Sequence, residues 1–118
     1  MDRWQGIQAF WGSFGIHAYQ SGYIPDDATT PYITYQASVA QFDKPIPLSG
    51  DIWYQSTSWA AISQKADQIS KACGVIRISP HHYIHVTKGT PFAQRMTDAD
   101  KSIRRIHINL MAEFYTDD

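Results

Sequence analysis

SIRRIHINLMAEFYT, residues 102–116, decides the fold class, because apolar side chains alternate in it with polar and mixed ones. The apolar parity consists of Ile106, Ile108, Leu110, Ala112 and Phe114. The mixed parity consists of His107, Asn109, Met111, Glu113 and Tyr115. A period of two residues is typical of a β-strand with two different faces. The stretch predicts a long strand with one face on a hydrophobic core and a second face whose partner the pattern leaves open.

Apolar side chains at helical spacing predict one helix before and one helix after a first pair of strands. The first helix follows Asp2, which is suited to cap it, and ends near Gly15. Its predicted buried stripe is Trp4, Ile7, Trp11 and Phe14. The second helix follows Ser58, a favourable N-cap residue, and ends at Gly74. Its predicted buried stripe is Trp59, Ile62, Ala66, Ile69 and Cys73.

Alternation and turn residues predict five strands, of which the stretch 102–116 supplies the last. The first four cover residues 32–42, 48–56, 74–79 and 83–89. Residues 20–31 and 90–102 are predicted to be loops. The resulting order, α-β-β-α-β-β-β, predicts an α+β domain with two helices packed on a mainly antiparallel sheet.

The composition limits both the number of domains and the classes of function. A chain of 118 residues suits a single domain, 1–118, and 43% hydrophobic residues are enough for a core. The net charge of −1 provides no general attraction for nucleic acid or for an anionic membrane surface. The lone cysteine, Cys73, cannot form an internal disulfide. No run reaches the roughly 18 apolar residues of a membrane span. We expect a cytosolic product with no nucleic-acid readout and no membrane contact.

Three histidines near one predicted turn raise the possibility of a metal site. His81, His82 and His85 are close in sequence, and imidazole is a common metal ligand. In a strand, however, His82 and His85 have opposite parity and point to opposite faces. No cysteine lies nearby, and no acidic residue lies within several positions. We expect a polar hairpin turn and no metal, and we keep a small metal-dependent enzyme built on this turn as an alternative.

Other patterns that carry chemistry are missing or incomplete. There is no nucleophile elbow, no H-E-x-x-H motif and no glycine-rich phosphate loop. Arg95, Lys101, Arg104 and Arg105 form the only basic patch, and adjacent Arg104 and Arg105 point to opposite faces of a strand. A nucleic-acid module would need a stripe of such residues, so it stays a third possibility. We expect no enzyme activity, no catalytic residues and no cofactor.

Two long segments resemble a known family. Residues 31–72 and 88–115 are similar to small proteins encoded in the tail modules of phages and prophages of Gram-positive bacteria. The resemblance is strongest in PYITY (31–35), DIWYQSTSW (51–59) and PFAQRM (91–96). These segments look like the tail terminator or tail-completion group, which includes minor capsid and tail-joining proteins. None of the three motifs is catalytic.

The resemblance implies an α+β subunit that forms a ring, commonly six-fold. Such a ring caps the last ring of the tail tube, stops its growth and prepares the tail for joining to the head. The implied partners are copies of the chain itself, the tail tube protein and the head–tail connector protein. The implied location is the tail or neck region of the virion, after assembly in the host cytoplasm. A head–tail connector or head-completion protein of the same neck region is the nearest alternative.

Two surfaces are candidates for contacts in such an assembly. The first is a protruding hairpin tip formed by Asp43, Lys44, Pro45, Ile46 and Pro47. The second is the mixed face of the last strand, formed by His107, Asn109, Met111, Glu113 and Tyr115. Methionine and tyrosine beside a few polar groups are typical of protein contacts. A helix of the same chain covering both faces of the strand is the other interpretation of that pattern.

Overall fold

The computed structural model describes residues 3–36 and 44–116, which form two α-helices and six strands. In chain order the elements are α1 (Arg3–Trp11), β1 (His17–Gln20), β2 (Tyr32–Tyr35), β3 (Ile46–Gln55), α2 (Ala60–Ala72), β4 (Gly74–Ser79), β5 (His82–Met96) and β6 (Ile103–Thr116). A 3₁₀ turn, Gly12–Phe14, follows α1. The predicted cap Asp2, the second half of the predicted first strand and the tip residue Asp43 lie outside the described residues.

The six strands form one sheet in the order β1-β2-β3-β6-β5-β4. β1 and β2 pair in parallel, and the other neighbouring strands pair antiparallel. β6 lies in the middle of the sheet and pairs with all of β3, Ile46–Gln55, on one side and with β5 on the other. The predicted α+β class, with two helices on a mainly antiparallel sheet, is confirmed, and the stretch 102–116 supplies its central strand.

Two features of the sheet were not predicted. β1 has only four residues, too few for an alternating pattern to mark it, and it is added to the sheet by parallel pairing with β2. β5 continues to Met96 through residues that were predicted to be a loop. Its register with β6 shifts between Lys88 and Ala93. This irregularity interrupts the two-residue alternation, so the sequence pattern there resembles a loop although the ladder resumes beyond it.

The hydrophobic core lies between the helices and one face of the sheet. The apolar parity of β6 is buried as predicted, and its members at 106, 108, 110 and 112 are at most 3% exposed. From α1, Trp11 is fully buried, stacks on Tyr35 at 6.4 Å between ring centroids and contacts Phe10 edge-on at 5.1 Å. The prediction that Trp4 is buried was wrong, because it is 44% exposed. The helix approaches β4 through the buried Gly6, next to Ile78, which turns Trp4 outward.

The second helix follows its predicted stripe closely. Ile62, Ala66 and Ile69 are buried, and the two residues that flank the helix, Trp59 and Cys73, are half-buried against the core. Ser58 was predicted as the N-cap, but Trp59 occupies that position, and Ser58, one residue earlier, accepts the Ala60 N–H through its Oγ at 3.1 Å. Neither of the helices within 3–36 and 44–116 has the length and apolar character needed to span a membrane.

Candidate functional site on the open face of the sheet

The face of the sheet opposite the helices carries two rows of paired residues that cross five strands. We call this surface the open face. One row is His17, Tyr32, Trp53, Arg105 and Met96, and the next is Tyr19, Thr34, Asp51, His107 and Gln94. These residues alternate along each strand with members of the core, such as Ile33, Ile52 and Ile106. The described helices pack on the other side, so the mixed parity of β6 is left accessible from solvent.

Aromatic rings form a continuous chain along one side of the open face. His17 stacks on Tyr19 at 5.9 Å, Tyr19 contacts Tyr32 at 5.7 Å, and Tyr32 contacts Trp53 at 6.4 Å, all between ring centroids. The chain ends at Arg105, whose guanidinium carbon lies 4.7 Å from the centre of the Trp53 ring. The rings therefore join β1, β2, β3 and β6 on the side of the sheet that faces water.

A polar network occupies the middle of the open face. Asp51 is only 8% exposed, and its carboxylate accepts a hydrogen bond from Arg105 Nε at 3.1 Å. The same oxygen lies 3.0 Å from His107 Nδ1, and His107 Nε2 lies 3.1 Å from Asn109 Oδ1. The Asn109 amide in turn donates to the Pro91 carbonyl at 3.1 Å. The network anchors three adjacent strands and holds the polar groups in fixed positions.

The Asp51–His107 pair resembles part of a nucleophilic triad, so its third partner decides what it can do. In a triad, the second imidazole nitrogen contacts the hydroxyl or thiol that attacks the substrate. Here that nitrogen contacts the side-chain oxygen of Asn109, which is no nucleophile. The carboxylate is also shared with Arg105. The geometry therefore supports a structural role for this pair.

The five predicted residues of the mixed face all lie on the open face. His107 and Asn109 are half-buried within the polar network. Met111 is 36% exposed and Tyr115 40% exposed, and Tyr115 stacks on Tyr83 at 5.5 Å. Glu113 is exposed and pairs in register with His85. The surface thus has a rigid polar centre with exposed apolar groups toward one end.

Of the described residues in the predicted hairpin tip, three are exposed and one is buried. Lys44 and Pro45 are exposed. Pro47 is exposed on β3 and pairs in register with Met111, which places it beside the mixed face. Ile46 is 5% exposed and belongs to the core, because β3 begins at this residue. Ile46 therefore offers little surface to a partner, whereas its neighbours do.

The histidine turn and the cysteine show little capacity for catalysis. His82 Nδ1 lies 3.0 Å from Ser79 Oγ and 3.2 Å from the Pro80 carbonyl, so its contacts are local to the turn. Residues 3–36 and 44–116 contain no group of three or more His, Cys, Asp or Glu side chains arranged to hold a metal ion. Burial raises the pKa of the Cys73 thiol, although the Lys88 charge opposes this shift. A thiol with a raised pKa is a poor nucleophile at neutral pH.

Asp51, Trp53, Tyr32 and Tyr19 are functional candidates that sequence reasoning did not select. A signal was present for two of them, because Asp51 and Trp53 alternate with Ile52 and Tyr54 in the predicted second strand. A carboxylate between apolar residues of a strand must face either water or a cation. The identity of that cation, Arg105, depends on the pairing of β3 with β6.

Replacing Asp51 with alanine is expected to lower the free energy of unfolding by about 2 kcal/mol, because Arg105 and His107 lose their shared acceptor. The replacement Asp51→Asn keeps a carbonyl oxygen in the same place and should cost less than the alanine variant. Urea unfolding followed by tryptophan fluorescence measures both. An alanine variant as stable as the wild type would show that the polar network contributes little to the free energy of unfolding.

Comparisons with known proteins bear on the fold. No protein-family model matches the sequence, and no curated protein matches it. Among the solved structures, a chain described as "Virion of native gene transfer agent (GTA) particle" matches with a TM-score of 0.58 at 13% sequence identity. The match covers 89% of this chain and 84% of that chain. At this identity the likeness establishes a shared fold that extends over nearly the whole of both chains.

Proposed function

We propose that this protein is a structural, non-enzymatic component of a phage-like virion. The observation that carries the proposal is the fold shared with a chain of a gene transfer agent virion over 89% of this chain. The open face supports it, because tyrosine, tryptophan, methionine and arginine are the residues enriched at protein contacts. The Asp51–His107 pair without a nucleophile is consistent with assembly rather than catalysis.

Within this class we propose the role of tail terminator. Copies of the chain form a ring on the last ring of the tail tube, end its elongation and prepare the tail for joining to the head. Its partners are then itself, the tail tube protein and the head–tail connector protein, in the tail or neck region of the virion. The sequence resemblance of residues 31–72 and 88–115 to tail terminators supports this assignment over other virion roles.

The surfaces proposed to make these contacts are the mixed face of β6 and the exposed part of the hairpin tip. On β6 the contacts involve Met111, Glu113 and Tyr115, which are exposed, while His107 and Asn109 hold the surface in shape. On the tip they involve Lys44, Pro45 and Pro47. The register between Pro47 and Met111 makes the two surfaces neighbours, so one partner can contact both.

Removing the gene from the phage or prophage that encodes it tests the role directly. We expect particles with overlong tail tubes in negative-stain images, because nothing then stops tube growth. Normal-length tails that fail to join heads would instead assign the chain to the connector position. Fully infectious, normal particles would contradict a structural role of either kind. Supplying the wild-type gene in trans is the control and should restore normal tails.

The same complementation tests the proposed surface. A chain with Met111→Glu and Tyr115→Ser should fold, since both positions are exposed, but should restore far fewer finished tails than the wild type. The matched control is Gln64→Glu on α2, which is exposed and lies on the helix side of the sheet, away from the open face. Equal complementation by the double variant and the control would exclude this part of the open face from the contact.

A further inference from the structure

A basic pocket lies where the start of α2 contacts the connection between β5 and β6. Its volume is about 270 Å³, and its apolar part is formed by Trp59 and Ile103. Its cationic part is formed by Arg95, Lys101 and Arg104, and Asp98 is the acidic residue in its wall. We call this site the basic pocket. It lies on the helix side of the sheet, away from the open face, because Arg104 and Arg105 point in opposite directions.

The cations of the basic pocket are only partly neutralised. The guanidinium carbons of Arg95 and Arg104 lie 4.7 and 5.2 Å from the centre of the same Trp59 ring. Arg104 donates to the carbonyls of Thr57 and Lys101, each at 2.8 Å. In the part of the chain that the structure describes, neither the Arg95 guanidinium nor the Lys101 ammonium has a hydrogen bond or an ion pair. Positive charge beside an apolar ring fits a ligand that combines a carboxylate with apolar groups.

The loop between β1 and β2 carries negative charge, opposite in sign to the basic pocket. Tyr23 is 74% exposed and Ile24 is 40% exposed, and Asp26 and Asp27 follow them on the surface. Neither carboxylate has a hydrogen bond or an ion pair among the described residues. The loop has a defined shape, because the Tyr23 N–H donates to Gln20 and the Ala28 N–H donates to the Pro25 carbonyl. We call residues 21–31 the acidic loop.

The acidic loop and the basic pocket lie at different places across the sheet. The acidic loop adjoins β1, which is one edge strand of the described sheet, whereas the pocket adjoins β6 and β5, which lie beyond β2 and β3. Two different complementary patches on one subunit form a heterologous contact, and a heterologous contact that closes on itself generates a ring. The apolar groups match as well, since Tyr23 and Ile24 can cover Trp59.

We propose that the acidic loop of one copy docks into the basic pocket of the next copy, with Asp26 and Asp27 pairing with Arg95 and Lys101. This proposal rests on the proposed ring and identifies the contact between its subunits. A second copy of the chain is favoured over nucleic acid, because three cations in one pocket do not form a stripe along a phosphate backbone.

Charge reversal tests the docking. The loop variant carries Asp26→Lys and Asp27→Lys, the pocket variant carries Arg95→Glu and Lys101→Glu, and the swapped variant carries all four changes. Arg104 is left in place because it bonds the backbone of two loops. The matched control carries Asp67→Lys and Lys71→Glu on the exposed side of α2. Native mass spectrometry over a concentration series measures self-association, and blots of purified particles measure incorporation if association requires the tail tube.

The expected pattern is specific to a heterologous contact. The loop variant and the pocket variant each associate about tenfold or more weakly than the control, because like charges face each other. Mixing the two variants restores association with the two chains alternating, since the intact loop fits the intact pocket and the lysine loop fits the glutamate pocket. The swapped variant regains the association and the incorporation of the wild type, because its reversed charges are again complementary.

Two results would overturn the proposal. The first is association and incorporation of the single-side variants at the level of the control. The second is a swapped variant that stays as defective as its parents while circular dichroism shows a native fold. Loss of DNA retention by the pocket variant, with association unchanged, would assign the pocket to nucleic acid instead. Normal particles after gene removal would contradict the proposed role in the virion. They would not decide the docking, because the charge-reversal variants test that contact in solution.

Discussion

Replacing Trp11 with alanine is expected to lower the free energy of unfolding by about 3–5 kcal/mol, the largest effect of any single truncation considered for this protein. The indole is fully buried, stacks on Tyr35 and contacts Phe10 edge-on. It also fills the space above Gly50, where two of its ring carbons lie within 3.2 Å of the position that a side chain would take. Truncation therefore leaves a cavity between α1 and the centre of the sheet.

Among the residues that the structure describes, the buried Trp11 Nε1 has no hydrogen-bond partner, so the loss should come from packing. The replacement Trp11→Phe removes that unpaired donor and keeps an aromatic ring, so it should cost clearly less than alanine. Trp4→Ala is the matched control in the same helix, because Trp4 is 44% exposed. Denaturant unfolding followed by circular dichroism avoids the change in tryptophan fluorescence. Equal losses for Trp4→Ala and Trp11→Ala would contradict the placement of α1.

Replacing Gly50 with valine is expected to lower the free energy of unfolding by about 3 kcal/mol, through overpacking rather than a cavity. A Cβ at this position would lie 2.9 Å from the Thr34 carbonyl oxygen and 3.1 Å from a Trp11 ring carbon. The carbonyl belongs to the neighbouring strand and cannot move without disturbing the ladder between β2 and β3. Gly50→Ala should also lower the free energy of unfolding through overpacking, but by less than Gly50→Val.

Gly12→Ala is the matched control for Gly50→Ala, because a Cβ at Gly12 contacts nothing within 4 Å. It should leave stability unchanged or raise it slightly. In a Trp11→Ala background, Gly50→Ala should lower the free energy of unfolding by less than it does in the wild type, because the Trp11 ring is gone. Part of the loss should remain, since the Thr34 carbonyl still lies close to the new Cβ. A glycine-to-alanine change at position 50 that is as harmless as the one at position 12 would show that β3 and Trp11 are farther apart than described.

Sequence periodicity predicted the elements whose environment is uniform along their length. β6 lies in the middle of the sheet, so one face is buried throughout and its alternation is unbroken. The stripe of α2 was equally clear for the same reason. β1 and the second half of β5 were missed because one is four residues long and the other contains a bulge next to Lys88. Trp4 was misplaced because the close approach of Gly6 to Ile78 is a property of the packed structure.

The candidate site was predictable only on the strand that carries the pattern. The mixed parity of β6 identified His107, Asn109, Met111, Glu113 and Tyr115. Their neighbours on the open face come from β1, β2 and β3, which are remote in sequence. Asp51 contacts Arg105 and His107 across more than fifty residues. Nothing local in the sequence indicates that these three side chains meet.

By itself the sequence determined the fold class, the central strand and which side of that strand is apolar, because these depend on the spacing of side chains along the backbone. Only the tertiary structure decided that the aromatic rings join into one chain, that Asp51 is shared by Arg105 and His107, and that the acidic loop and the basic pocket lie at different parts of the sheet. These features depend on the order and register of strands. Strand order and register are set by the free energy of burying the whole core, to which every element contributes at once.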